Sequence, residues 1–193
     1  MEWEKFKLYA MKTLQEHINE GKVDREVLPL LKKINSFPFF ATLSSCAGRI
    51  CVIDVPRFGE KKACTFLGKW HRSVSTDEIV KAIENGLREV WLLAQPPILH
   101  VACKTLEYAK VLLAIANESG LRESGIISLK KNAVRITTSE RIETLLALNK
   151  KVFVNQEYIE ILVQKANEKL LRGREKLRKF EKKIEEIKEK LFL

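Results

Sequence analysis

Apolar and polar residues alternate along this chain with two different periods. Trp3, Phe6, Ala10, Leu14 and Ile18 recur at helical spacing, and Gly21 stops that run. Asp24 is placed to cap a second helix reaching about Asn35. Pro29 falls inside it, so either the helix begins near Leu28 with the proline in its first turn, or it is kinked. The period then shortens. Phe39–Leu43 and Arg49–Val55 read as the strands of a hairpin, followed by a polar loop, Pro56–Lys62. Ala63–Leu67 is a further strand, with a continuation through Lys69-Trp70-His71. Thr76 or Asp77 caps a helix to about Leu87, and Glu89–Ala94 and Ile98–Cys103 are strands divided by Gln95-Pro96-Pro97.

Thr105 caps the clearest mid-chain helix, with Leu106, Ala109, Leu112, Leu113 and Ala116 on one face and Gly120 at its end. A small-polar loop, Leu121-Arg122-Glu123-Ser124-Gly125, runs into a strand; Lys130-Lys131-Asn132 turns it into Ala133–Thr137, and another hairpin lies around Asn149-Lys150-Lys151. Asn155 caps the last helix, where Leu162, Ala166, Leu170, Leu177, Phe180, Ile184, Ile187 and Leu191 keep an a/d-like spacing. At 1.5 Å per residue it runs on the order of 50 Å. The fold class expected is α/β in the α+β sense: a mixed β-sheet with packed helices and a long C-terminal helix. Residues 1–154 form the mixed domain, in which a helix, a Ser/Gly/Arg loop and a hairpin occur twice, the trace of a possible internal duplication. Residues 155–193 form the helix packed on it or projecting from it.

Charge adds a partner to this picture. Thirty-five Lys and Arg against 25 Asp and Glu leave +10 on 193 residues, and apolar residues at 46% suffice for a real core. Such a surplus favours a polyanion, nucleic acid before membrane, although a basic protein without such a partner also fits. From Lys165 to Lys183 nine cations, among them Lys165, Lys169, Arg172, Arg174, Lys176, Arg178 and Lys179, face three glutamates. This is either a solvated helix face laced with i,i+4 pairs or a rod that follows a phosphate backbone. No apolar run approaches the roughly 18 residues of a membrane span. Met-Glu-Trp-Glu-Lys-Phe opens an amphipathic helix and not a signal peptide, so a cytoplasmic protein with reduced cysteines is expected. High Lys and Glu with few Gly and Met suit a thermophile.

The candidate chemistry centres on Ser44-Ser45-Cys46-Ala47-Gly48-Arg49. Two hydroxyls, free backbone N–H groups and a guanidinium can hold a small anion or carboxylate, or Ser44 and Ser45 can satisfy their own backbone in a structural turn. His100 lies in an apolar strand, as a satisfied core group or as a general base. His71, between Lys69 and Arg72, suits a basic surface site. A metal site from Cys46, Cys103, His71 and His100 lacks C-x-x-C or H-x-x-x-H spacing, and none is expected. G-x-S-x-G, Walker A, H-E-x-x-H and G-x-G-x-x-G are all missing. The residues by themselves point towards RNA and name no reaction.

Four blocks together resemble the tRNA wybutosine-synthesizing protein 3 family. They are Ser44-Ser45-Cys46-Ala47-Gly48-Arg49-Ile50, Pro97-Ile98-Leu99-His100-Val101-Ala102-Cys103, Ser119-Gly120-Leu121-Arg122-Glu123-Ser124-Gly125-Ile126, and the helix from Glu157-Tyr158-Ile159 to Ala166-Asn167-Glu168-Lys169. His71 stands where the family has a histidine, Leu121 replaces its usual Phe, and Gly68-Lys69-Trp70 departs from its Trp-containing strand. The resemblance implies an S-adenosylmethionine-dependent tRNA methyltransferase of non-Rossmann fold. Its implied substrate is N4 of the tricyclic base made from guanosine 37 of phenylalanine tRNA, in wyosine or wybutosine biosynthesis. It implies Ser44, Ser45, Cys46, Gly48, Arg122, Ser124 and Gly125 at the cofactor or substrate, with Arg49 holding an anion and His100 or His71 as proton acceptor. The basic helix would then bind the tRNA stem. A non-catalytic tRNA-binding module and an assembly protein with dimerising heptads are the alternatives.

Overall fold

A computed structural model describes residues 2–59 and 63–191, the last four of these as backbone only. The expected loop Pro56–Lys62 is therefore described only to Gly59, and the side chain of Leu191 lies outside the described residues. The order of elements is α1 (Trp3–Asn19), a 3₁₀ turn (Arg25–Val27), α2 (Leu28–Ser36), β1 (Phe40–Cys46), β2 (Arg49–Val55), β3 (Thr65–Trp70) and α3 (Thr76–Glu84). Then come β4 (Glu89–Gln95), β5 (Ile98–Cys103), α4 (Leu106–Glu118), β6 (Gly125–Ser128), β7 (Ala133–Thr137), β8 (Ile142–Leu148), β9 (Lys151–Val152) and α5 (Gln156–Leu191).

The strands form two sheets, one ordered β1-β5-β7-β6 and the other β3-β2-β4-β8-β9, and the ladders are antiparallel throughout. This α+β arrangement is not the parallel, doubly wound sheet of the Rossmann methyltransferases. The hairpin expected from Phe39–Leu43 and Arg49–Val55 does not form. β1 pairs with β5 while β2 pairs with β3 and β4, so Ala47-Gly48 carries the chain from one sheet to the other. Gly48 has φ +86°, which only glycine adopts without strain, and a crossing needs that freedom as much as a hairpin does. Spacing alone could not tell the two apart.

Two compact units result. One comprises Met1–Ala47, Pro97–Ser139 and Arg174–Leu193; the other comprises Gly48–Pro96 and Glu140–Gly173. The boundary expected at 154/155 marks the start of α5, whereas the units divide inside that helix, at 173/174. In the first unit Leu31, Ile34, Phe37 and Phe40 bury against Leu99, Val101, Leu112, Leu121, Ile136, Leu177 and Phe180. In the second, Ile50, Val52, Leu92 and Leu146 bury against α3 and against Ile159, Leu162, Val163, Ala166 and Leu170 of α5.

Local chemistry sets the boundaries. α2 begins at Leu28 with Pro29 in its first turn, and Asp24 makes no side-chain cap bond there; its carboxylate accepts the Ala47 N–H instead, at 2.8 Å. Ser75, not Thr76 or Asp77, caps α3 through a reciprocal capping box with Glu78, and the helix stops at Glu84, short of Leu87. Asn155 caps α5 as expected, accepting the Tyr158 N–H at 2.9 Å. Asn149 and Lys150 both take positive φ, the backbone twist of a two-residue hairpin turn, between β8 and β9. Cys46, Cys51, Cys64 and Cys103 are free thiols. No described helix is long and apolar enough to cross a membrane.

Candidate active site

In β5, Leu99, Val101 and Cys103 join the first core, so the pleat turns His100 to the opposite face of the sheet. The ladder sets Ser44 opposite His100, His100 opposite Arg135, and Arg135 opposite Gly125. Four strands thus align a hydroxyl, an imidazole, a guanidinium and a glycine in one row. Ser44 Oγ lies 2.8 Å from His100 Nδ1. Nδ1 is engaged there, and Nε2 has no hydrogen-bond partner among the described residues. Burial lowers the His100 pKa from its ordinary 6.5, and the Arg135 charge adds to that. The ring is neutral at neutral pH and can accept a proton. Removing the charge in an Arg135→Gln variant raises the His100 pKa towards 6.5 without reaching it, since burial is the larger cause. An NMR titration of the ring protons checks this.

Two other candidates in this unit have different surroundings. Ser124 Oγ donates to the Leu121 carbonyl at 2.6 Å and accepts the Thr137 N–H at 3.1 Å, which fixes the turn into β6. Arg122 is exposed, and a side chain added at Gly125 would meet nothing within 4 Å, so the space beside Arg135 is open. Ser44 and Ser45 also line a cleft of about 470 Å³ between α1 and β1, whose walls include Phe6, Leu14 and Val23 with His17 and Lys22. An apolar cleft of this size with a few polar groups is ordinary for a nucleoside-sized ligand. Cys46 is half-buried. Cys103 is fully buried, and burial pushes its thiol up to about 12, so it is not a thiolate nucleophile at neutral pH.

Gly48, Arg49 and His71 belong to the second unit. Arg49 Nε donates to Gln95 Oε1 at 2.5 Å, and its guanidinium lies 5.9 Å from the centre of the Phe66 ring. His71 follows the end of β3 and is half-buried.

The cations of α5 divide into two kinds. Arg174, with only 15% of its side chain exposed, pairs with Glu26 at 2.7 Å, and Lys176 Nζ donates to Thr138 Oγ1 at 3.0 Å. Lys169 reaches the buried Glu140 carboxylate at 3.1 Å, with Arg172 at 4.0 Å from it. Lys165 and Lys179 make exposed pairs with Glu168 and Glu175, and Arg178 is exposed. Much of the apparent phosphate-binding surplus therefore holds the protein's own carboxylates.

Sequence reasoning missed Arg135. Its signal was present: in Ala133-Val134-Arg135-Ile136-Thr137 a lone cation stands at the outward position of an apolar strand, as His100 does in its own. Only the register, which the sequence does not print, puts the two side by side.

Comparison with known proteins agrees with this architecture. Residues 5–186 match the family described as Methyltransferase TYW3. A curated protein of Archaeoglobus fulgidus, tRNA(Phe) 7-((3-amino-3-carboxypropyl)-4-demethylwyosine(37)-N(4))-methyltransferase, is 43% identical over 187 residues, covering 97% of this chain and 95% of its own. A Methanocaldococcus jannaschii protein of the same name is 37% identical, with 93% and 95% covered. A solved Pyrococcus horikoshii protein superposes with a TM-score of 0.90 at 43% identity over 94% of this chain and 95% of its own. A hypothetical protein from Aeropyrum pernix gives 0.75 at 28% identity over 84% and 98%. With a family match across nearly its whole length and a relative 43% identical over 97% of it, the chain belongs to the TYW3 methyltransferase family.

Proposed function

We propose that this protein methylates N4 of the 7-(3-amino-3-carboxypropyl)-4-demethylwyosine base at position 37 of phenylalanine tRNA, in the cytoplasm, with S-adenosylmethionine as methyl donor. The relatives carry that activity in their names. The observation that carries the reading in this chain is the Ser44–His100–Arg135 row. S-adenosylmethionine, when bound, supplies a methyl group already activated by its sulfonium. The chain's own residues then have two tasks: to hold the nucleophile and methyl carbon in line, and to take the proton that N4 gives up.

His100 is the proton acceptor. Ser44 accepts from Nδ1–H, which fixes the tautomer and leaves the Nε2 lone pair for the substrate proton. Burial, with the Arg135 charge adding to it, lowers the pKa of the ring, and Arg135 offers a cation to a carboxylate, either the methionine carboxylate or that of the aminocarboxypropyl arm. Ser45 serves the same two anions, with Cys46, Arg122 and Gly125 of the same unit beside it. The Ser44–Ser45 cleft has the volume and mixed lining that a nucleoside needs. Ser124, whose hydroxyl is committed to the backbone, shapes the turn.

The exposed cations of α5, Lys165, Arg172, Arg178 and Lys179, contact the tRNA stem; Lys169, Arg174 and Lys176 hold the fold. Reversing charge at both Arg178 and Lys179 should weaken tRNA binding and flatten its salt dependence, by a slope change of about 0.9 per lost phosphate contact. Titrations at several salt concentrations read it; an unchanged slope removes α5 from the interface. The deciding experiment for the whole reading is methyl transfer. Purified protein, labelled S-adenosylmethionine and phenylalanine tRNA bearing the unmethylated base are incubated, and the RNA is digested to nucleosides. Label in that one nucleoside is the expected result; tRNA binding without label leaves a non-catalytic RNA-binding module.

A further inference from the structure

Helices α3 and α5 pack on one face of the second unit's sheet, and on the other face Cys51, Ile53, Val55 and Leu93 are buried, with Cys64 and Trp91 packed beside them. Ile50, Val52 and Leu92 pack against α3 and α5, and the pleat sends Arg49, Cys51, Ile53, Trp91 and Leu93 to the other side. The register places Phe66, Ile53 and Trp91 in a row across β3, β2 and β4. Phe66 is 49% exposed. Two cations lie beside its ring, the Arg49 guanidinium at 5.9 Å and the Lys69 ammonium at 5.7 Å from the centroid. Across the row, Phe58 stacks on Trp91 with centroids 4.1 Å apart and planes at 28°, and 38% of Phe58 stays exposed. Glu89 fixes that pair: one carboxylate oxygen accepts both the Phe58 N–H at 2.9 Å and the Trp91 indole N–H at 3.0 Å. Glu143, opposite Leu93, is the exposed acid on the β8 side.

We infer that this face is a stacking platform for unpaired nucleotides of the tRNA anticodon loop. The inference rests on the reading of the protein as a tRNA methyltransferase and adds where the loop is gripped. Single-stranded RNA is held by aromatic rings that take base faces and by cations that take the neighbouring phosphates, and the strip supplies both in one row. Exposed rings that await a protein partner are surrounded by apolar atoms, and lysine is depleted at the centres of such interfaces. Here a lysine lies beside the most exposed ring, in a chain of net charge +10.

The test uses the full-length protein with a fluorescent anticodon stem-loop of phenylalanine tRNA, and a fully paired duplex of the same length as comparison. Phe66→Leu keeps apolar bulk and removes the π face; Phe66→Tyr keeps the face. Phe66→Leu should weaken stem-loop binding about tenfold, within the range of one lost base–aromatic stack, and leave duplex binding unchanged. Phe66→Tyr should bind like the parent. Equal stem-loop affinity for the parent and Phe66→Leu, in a parent that methylates its tRNA, overturns the platform and spares the methyltransferase reading. A parent that neither methylates nor binds the tRNA overturns both. A Phe66→Leu variant that binds RNA normally but falls from dimer to monomer in light scattering assigns the face to a second copy of the chain and also overturns the proposal.

Discussion

Alanine at His100 lowers the turnover number for methyl transfer by about two to four orders of magnitude, the usual worth of a positioned general base. The KM for tRNA stays near that of the parent, because the imidazole contributes to proton removal and little to holding the RNA. The fold survives: His100 is half-buried on the face opposite the first core, and its one side-chain bond is to the Ser44 hydroxyl. The pH profile separates a base from a bystander. In the parent, kcat/KM rises with pH through the His100 pKa, which burial and Arg135 hold below 6.5, and is level at neutral pH. In Arg135→Gln that rising limb moves to higher pH, and in His100→Ala it disappears from a much lower rate. A His100→Ala enzyme with parental turnover passes the role of base to His71, whose own alanine variant then carries the loss.

Phe180→Ala costs about 3–5 kcal/mol, the range for emptying a fully buried phenylalanine site. Phe180 is 0% exposed, in a core shared by α2, α4, β5 and β7 with Leu177 and Ile184 beside it. Domains of this size have stabilities of about 5–15 kcal/mol, so one substitution removes a large share. Chemical denaturation monitored by circular dichroism reads it as a fall in midpoint. Ending the chain after Gly173 removes all three side chains at once and unfolds the first unit. Truncation is therefore a poor probe of whether the heptad-like positions of α5 dimerise. Leu177, Phe180 and Ile184 are the a/d residues of the sequence pattern, and they face inward to their own protein. A full-length light-scattering mass addresses self-association without that damage.

Helices and strands were legible wherever one physical signal acted alone. The apolar spacing of α1, the Thr105 and Asn155 caps and the β8–β9 turn all stand where local chemistry put them. Partner choice was not legible. Phe40–Cys46 and Arg49–Val55 look like two arms of a hairpin because adjacent strands with a glycine between them usually pair; here each finds its partners further along the chain. The same limit applies to the site. Ser44, His100 and Gly125 were picked out one by one, but that they share a row with Arg135 follows from ladder register, a long-range property. The basic helix shows the same limit for charge. A count of charges cannot see that Arg174 meets Glu26 or that Lys169 meets Glu140.

The division of both cores inside α5 has a consequence for how the protein is made. Ile159, Leu162 and Leu170 complete one core and Leu177 and Phe180 the other, and all of them follow the last described strand in the chain. A nascent chain folds from its N-terminus as it emerges, but here every strand is synthesised before the helix that seals either sheet. Until α5 has been translated, two sheets' worth of apolar faces and strand edges stand open to neighbours on the same messenger. The chain must then close both cores through contacts far apart in sequence, a slow kind of folding. Yield in a heterologous host should accordingly depend on how fast the codons of α5 are read and on chaperone supply more than on the finished protein's stability.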